Sequence, residues 1–520
     1  MQICVLRFLF IFCCFFPALL LAQQNPSEIN FYRQGVKRIV FDKDQQLSLA
    51  TLDPQKIIGM EAMYPQLQKK SPNPEIMVEN DELVFSAEDS GESSLWLGGF
   101  NPFATYSLNL TDFSAKGSIG FEFSDAARKH QFLVKIEGEN NALNGGRIVI
   151  SRAGAILADE SILRVDKPID LRESKLILQM LGSGFVLYLQ KQGLPRVIGQ
   201  FDFGKLMDLR EKSLHQGLHT AIYTQVIGAG EIRLKKADIS LNAGMGLADI
   251  RAITYENGEP FLDDGKLWYT MTVRGRALPH HLQGVFSMEP STFELKFEGI
   301  IVFDRQDGLL RNEVASHLFF DRGSQTWRGI TTGFSAYANI EKESKQLLAV
   351  ESKKDPRFGY SIMQATTFGM VGDIEDPHII YDRQVNKWRL LACENIDGYK
   401  AIMMESAQWN KGYNKIAGPV LHNSTGTSIQ KIDGKFYCFS GSADRDVFIY
   451  TYPELKEVGT LKMDLPPWDK DAGTRTWPNV LELPQGYPMK YIALMMDRYN
   501  YPGIAGPNWT YGALYLYYGY

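Results

Sequence analysis

Residues 264–275 read DGKLWYTMTVRG, a glycine turn and a lysine, then an alternation with Tyr269, Met271 and Val273 on one face and Thr270 and Thr272 on the other. That period of two marks a half-buried strand. The same turn, aromatic residue and apolar run recur as QTWRGITTGFS from 325, NKWRLLACE from 386, DGKFYCFSGS from 433 and PMKYIALMMDR from 488, at intervals of 47 to 61 residues. Each is followed by another strand: GVFSME from 284, QLLAVESK from 346, AIMMESA from 401, VFIYTYP from 447 and GALYLYYG from 512. A single unit of about four strands cannot cover both of its faces, whereas units set around an axis cover one another's. The repeat predicts a five-bladed β-propeller over residues 242–520.

Upstream, residues 75–241 hold short strand candidates such as ELVFS, TYSLNL, FLVKIEG, GRIVIS and GFVLYLQ, separated by Gly, Asn, Asp and Pro. In FLVKIEG, Phe132, Val134 and Ile136 share one face and Lys135 and Glu137 the other, the pattern of a sheet with one wet side. Two stacked antiparallel sheets, a jelly-roll β-sandwich, are expected there, so the chain as a whole is all-β. Residues 23–74 read as a polar lead-in or strap that ends in the SPNP turn at 71–74. Arg7, the apolar run 8–21 and Ala22 have the layout of a secretory signal peptide. Residues 1–22 are therefore expected to be removed and the mature protein to be secreted or periplasmic. No later segment is long and apolar enough to span a bilayer. Of five cysteines, only Cys393 and Cys438 lie beyond the signal, each in an apolar run, so buried small hydrophobes are expected rather than a disulfide framework.

With 60 acidic against 55 basic residues among 520, a net charge of -5 and no basic stripe, the composition argues against a nucleic-acid partner. Hydrophobic residues at 44% and charged residues at 22% exclude a disordered chain, and 12% aromatics with 46 Gly favour strands over helical bundles. No CxxC or HExxH spacing occurs, so no metal site is assigned and no cofactor is required. A structural Ca²⁺ on the axis is left open, and the oligomeric state is not legible.

The first strand of each propeller blade lines the axis. With those strands taken as 257–262, 314–321, 374–382, 426–433 and 475–483, the inner positions supply Glu259, His317, the cluster Glu375, Asp376 and His378, and Arg475 with Trp477. Glycoside hydrolysis needs two carboxyl groups about one bond, one protonated and one ionised. Glu259 from blade 1 with Glu375 or Asp376 from blade 3 meets that demand, and crowding of the adjacent pair raises one pKa. Neighbouring strand residues normally face opposite sides, so one of the pair is expected to bond the blade instead. His317 and His378 are candidate donors to sugar hydroxyls, with satisfied inner-strand histidines as the alternative. Arg274 and Arg475 suit a carboxylate on a substrate such as a uronic acid, or a protein carboxylate equally well. Trp477 and Trp509 offer flat faces to a pyranose.

The stretch EDPHIIYDRQVNKWRLL from 375 resembles the start of blade 3 in the five-bladed glycoside hydrolases of families 43 and 32, and NGEPFLDDGKLWYTMT from 257 resembles their first blade. The N-terminal strands resemble a concanavalin or laminin-G sandwich. The resemblance covers residues 246–520 and implies that Glu259 stands where those enzymes carry an Asp base or nucleophile. Glu375 then matches the acid of one pattern and Asp376 the transition-state carboxylate of the other. Blade 1 departs by having Glu for Asp, and blade 2 has Ser316-His317 where an auxiliary Asp is expected. The implied activity is hydrolysis of an oligo- or polysaccharide. A non-catalytic glycan-binding protein and a propeller polysaccharide lyase stay open.

Overall fold

The structure, a computed structural model, describes residues 25–57, 67–69, 75–164, 167–276, 278–472, 475–505, 508 and 512–520. The expected signal segment 1–22, the turn at 71–74 and Trp509 lie outside them. Strand makes up 61% and helix 4%, the all-β class expected from the alternating pattern.

The C-terminal region holds one eleven-stranded, two four-stranded and one five-stranded sheet, which divide into five groups of four main strands, numbered here blades 1 to 5. Blade 1 runs Leu247–Ala252, Lys266–Val273, Leu282–Glu289 and Glu294–Asp304. Blade 2 runs Val314–Asp321, Thr326–Thr332, Gln346–Ser352 and Gly359–Val371. Blade 3 runs Ile374–Asp382, Lys387–Asn395, Tyr399–Ser406 and Asn414–Ala417, and blade 4 runs Thr425–Ile432, Lys435–Gly441, Val447–Thr451 and Glu457–Thr460. Blade 5 comprises Val480–Glu482, Tyr491–Met496, Ala513–Gly519 and, as its outer strand, Asn30–Arg38. First strands touch in sequence from blade 1 to blade 5, and Tyr491–Met496 returns to Leu247–Ala252, so the cycle closes as in a propeller. Each blade then buries its faces on its neighbours: Phe319, Ile330 and Leu347 of blade 2 pack on Ile379 and Leu390 of blade 3, and Ile380 and Leu391 of blade 3 on Ile429 and Cys438 of blade 4.

Three features differ from the expectation. The lead-in is not a strap, because Asn30–Arg38 is a sheet strand of blade 5 and Gln46–Leu52 joins the sandwich. Blades 1 and 2 fuse at their outer strands through parallel pairing from Gly299↔Gly359 to Asp304↔Gln364. A Cβ on Gly299 would stand 2.4 Å from the Gly359 carbonyl oxygen, so the close approach requires glycine. The first strand of blade 1 is Leu247–Ala252, whereas 257–261 belong to a turn closed by the Tyr255 N–H on the Glu259 carbonyl, and Leu262 starts a two-residue strand.

Two eight-stranded sheets stack as the N-terminal sandwich. Its core of Phe85, Tyr106, Phe121, Phe123 and Phe132 runs without a break into Tyr269 of blade 1 and Leu494 and Leu516 of blade 5. Polar ties follow the same seam. Asp202 of the sandwich holds Arg276 at 2.6 Å and His280 at 2.8 Å, and Arg210 donates to the Ser335 carbonyl at 3.0 Å. Cys393 and Cys438 are buried free thiols. Among the described residues no helix is long and apolar enough to cross a membrane.

Candidate active site

Four first strands carry the same local defect. Asp249, Ala315, Asp376 and Gly426 have left-handed φ values of 54°, 55°, 58° and 60°, and the ladder slips there, between Ala248 and Arg251, Val314 and His317, Glu375 and His378, and Thr425 and Ser428. A bulge adds one residue to a strand and breaks the alternation of faces. Glu375 and Asp376 consequently both line one axial cavity of about 230 Å³, so neither of the pair is turned away. Asp249 of blade 1 lines the same cavity, as do Arg274, Arg475 and Trp477. Blade 2 brings Ala315 to the equivalent place and contributes no carboxylate.

Asp376 is 3% exposed. Its Oδ2 accepts the Gly426 N–H at 2.8 Å and the Thr425 hydroxyl at 3.2 Å. Burial, then the charges of Glu375 and Asp249, push its carboxyl up to about 7 against the pull of Arg251. Glu375 is salt-bridged to Lys345 at 2.5 Å, and Lys345 also meets Asp373 at 2.6 Å and the Tyr399 hydroxyl at 3.0 Å. Burial raises Glu375 while Lys345 opposes it. The two carboxyls titrate as a coupled pair, in which the ion pair with Lys345 favours the ionised form of Glu375 and burial favours the protonated form of Asp376.

Beneath this floor lies Arg251, fully buried on the axis. It donates to the carbonyls of Asp376 (2.9 Å) and Thr427, and stands 5.1 Å from the Trp477 ring. The Trp477 indole N–H is spent on the Ile250 carbonyl at 2.8 Å, and a Cβ on Gly426 would stand 2.6 Å from the ring. With 9% exposure Trp477 is a wall of the cavity rather than a free stacking platform.

His317 and His378 do not reach the cavity. They stack on each other at 3.8 Å and 13°, with 0% and 2% exposure. His317 Nδ1 accepts the Ile379 N–H at 3.1 Å, which leaves Nε2–H to donate to the Thr254 hydroxyl at 3.2 Å. Burial and the nearby Arg251 hold His317 at about 3 and His378 well below the usual histidine range. Both are neutral core residues; His317 is satisfied, as the alternative reading of the sequence has it, whereas the buried His378 Nδ1 has no hydrogen-bond partner.

Glu259 is also elsewhere. The cavity opens where the first strands begin, whereas Glu259 follows a segment that pairs with their far ends, Thr254↔Phe319 and Tyr255↔Phe320, with the Tyr381 N–H on the Glu256 carbonyl. It is half exposed, 3.6 Å from Arg322, in a separate groove beside Gln430 and Glu482. The physical reason is the excursion at 253–265, which separates the true first strand of blade 1 from its aromatic second strand. The signal for Asp249 was the parallel between Asp249-Ile250-Arg251 and Asp376-Pro377-His378, an acid on the bulge followed two residues later by a cationic or imidazole side chain. Lys345 and His281 reach the cavity from loops and Phe334 and Tyr337 from the short 3-10 helix Phe334–Ala338, and none carries such a signal. Of these, Tyr337 is 41% exposed and sits 6.3 Å from the Phe334 ring, a better aromatic face for a sugar than Trp477.

No family model matches the chain, and no curated protein matches it. Solved structures are similar over about half of it. A GH43_1 enzyme from Xanthomonas citri shares 11% identity, covering 52% of this chain and 87% of its own, with a TM-score of 0.37. A family 117 glycoside hydrolase produced by the marine bacterium Zobellia galactanivorans shares 10%, covering 53% and 84%, with a TM-score of 0.37. The carbohydrate binding module CBM66 from Bacillus subtilis shares 15%, covering 33% and 94%, with a TM-score of 0.23.

Proposed function

We propose that this chain is an exported glycoside hydrolase whose axial cavity takes a saccharide. The observation that carries the reading is two carboxylates from different blades in one cavity, Asp249 and Asp376, of which Asp376 holds a proton near neutral pH. Asp376 acts as general acid and protonates the leaving glycosidic oxygen. Asp249, on the same ring of bulges, is the base or nucleophile. Glu375, anchored by Lys345, keeps the Asp376 pKa high enough for the acid role. Hydrolysis on these groups needs no cofactor. Glu259 has no part in the reaction. Export is supported by the Arg7 and apolar 8–21 pattern.

A second reading has one observation in its favour. Asp376 bonds the Gly426 N–H and the Thr425 hydroxyl, the behaviour of a carboxylate that pins blade 4, which fits a glycan binder without turnover. Asp249→Asn and Asp376→Asn, assayed on an oligosaccharide panel, separate the two. Loss of cleavage by about 10² to 10⁴ with glycan affinity kept supports the enzyme. Binding without cleavage by the unmodified chain on every glycan it binds supports the binder.

A further inference from the structure

We infer that the saccharide taken by this cavity carries a negative charge, a uronate carboxylate or a sulfate ester, held by Arg475 with Arg274 beside it. The inference rests on the carbohydrate reading above and narrows its substrate class.

The charge balance of the cavity is opposite to that of the chain. The whole sequence is acidic, at -5. Around the cavity, Arg274, Lys345, Arg475 and Arg498 line the wall and Arg251 lies under the floor. Against these five cations stand Asp249, Glu375 and Asp376, with Asp373 just behind Lys345. Lys345 is taken up by Glu375 and Asp373, and Asp376 holds a proton for much of the time near pH 7. Among the described residues, the cations around the cavity outnumber the carboxylates five to four before any protonation of Asp376. A neutral sugar gives such a surplus nothing to neutralise, whereas an anionic group does so in a partly water-excluded space where Coulomb attraction is strongest.

Arg475 has the geometry for the contact. One of its nitrogens, Nη1, donates to Asn423 Oδ1 at 2.8 Å, which fixes the guanidinium plane. No carboxylate among the described residues lies within 4 Å of it as an ion-pair partner. Its remaining donors form the flat fork that carboxylates and sulfates accept. Tyr337 and Phe334 supply an aromatic wall to the same cavity for the ring that bears the charge.

The experiment is titration calorimetry on the mature chain carrying Asp376→Asn, which prevents turnover. The probes are a galacturonate tetrasaccharide, its carboxyl-reduced neutral counterpart, and a sulfated galactan tetrasaccharide. One anionic probe should bind at least about tenfold more tightly than the neutral one at low salt and weaken as salt rises past the Debye range. The anion that binds identifies which group is recognised. Adding Arg475→Gln should lower the anionic affinity about tenfold and leave the neutral one unchanged, while Arg475→Lys, which keeps the charge but not the fork, should fall between them. Circular dichroism and melting confirm that each variant is folded. Equal affinity for neutral and charged probes, no binding of either anion, or an anionic affinity untouched by Arg475→Gln would overturn the inference. If the anion binds through Arg475 but the unmodified chain never hydrolyses it, anion recognition stands and the hydrolase reading falls. An unsaturated product absorbing in the ultraviolet points instead to elimination on a uronate, with the anion contact intact.

Discussion

Replacing Asp376 by Asn removes one titrating proton while preserving the shape of the side chain and both accepted hydrogen bonds, from the Gly426 N–H and the Thr425 hydroxyl. In the folded chain burial and Glu375 hold the Asp376 carboxyl near 7 instead of 3.8. Ionising it there is about 4 kcal/mol harder than in the unfolded chain. Because the folded pKa is the higher one, the folded state binds the proton more tightly. The stability this lends is full below about pH 4 and is lost as pH rises through about 7. Asn does not titrate. The variant should therefore match the unmodified chain near pH 4 and exceed it by up to about 4 kcal/mol near pH 8. With an unfolding entropy of about 2 cal/mol/K per residue, that corresponds to about 4 °C in Tm for a chain of this length. Scanning calorimetry of both proteins across that pH range, run beside turnover assays, reads both effects. The expected result is a Tm difference that opens between about pH 4 and 7 and stays constant above, with turnover lost at every pH. A difference that does not change with pH, or a variant less stable at the alkaline end, would refute the raised pKa and with it the acid role.

Three further outcomes follow from named contacts. Glu375→Gln removes a charge that raises Asp376, so the alkaline limb of the pH–activity profile should move down by about one pH unit; an unmoved limb would separate the two carboxyls. Gly426→Ala should lower stability by about 2 to 4 kcal/mol in thermal or urea unfolding, since alanine meets both a φ of 60° and a Trp477 ring 2.6 Å from its Cβ; a neutral effect would mean that the ring moves freely. Asp202→Ala releases Arg276 and His280, whose segment joins Arg274 to His281 in the cavity wall. Substrate KM should rise about tenfold with kcat little changed, and equal losses in both would contradict a positioning role.

The fold was legible where its signal is local. The aromatic second strands and their partners at 284, 346, 401, 447 and 512 all sit in strands, because a period of two over six or more residues is a local signal. The outer strand of blade 5 was not legible. Asn30–Arg38 pairs with Ala513–Gly519 at the other end of the chain, and pairing at that separation leaves no trace in either segment. The site divides in the same way. Glu375, Asp376, Arg274, Arg475 and Trp477 converge as their places before or after the repeated strands imply. Glu259 lies outside the cavity and Asp249, which the sequence reading did not single out, lines it, because the excursion at 253–265 hid the first strand of blade 1. The Glu375 and Asp376 side chains share one cavity through a bulge, which depends on a φ angle rather than on residue type.

A crystal structure of the Asp376→Asn protein soaked with an oligosaccharide that the unmodified chain cleaves bears on the central claim most directly. The expected density has the glycosidic oxygen within hydrogen-bonding distance of the side chain at 376 and Asp249 against the same sugar ring. A sugar ordered in the groove beside Glu259, or bound with neither Asp249 nor residue 376 near its glycosidic bond, would contradict it.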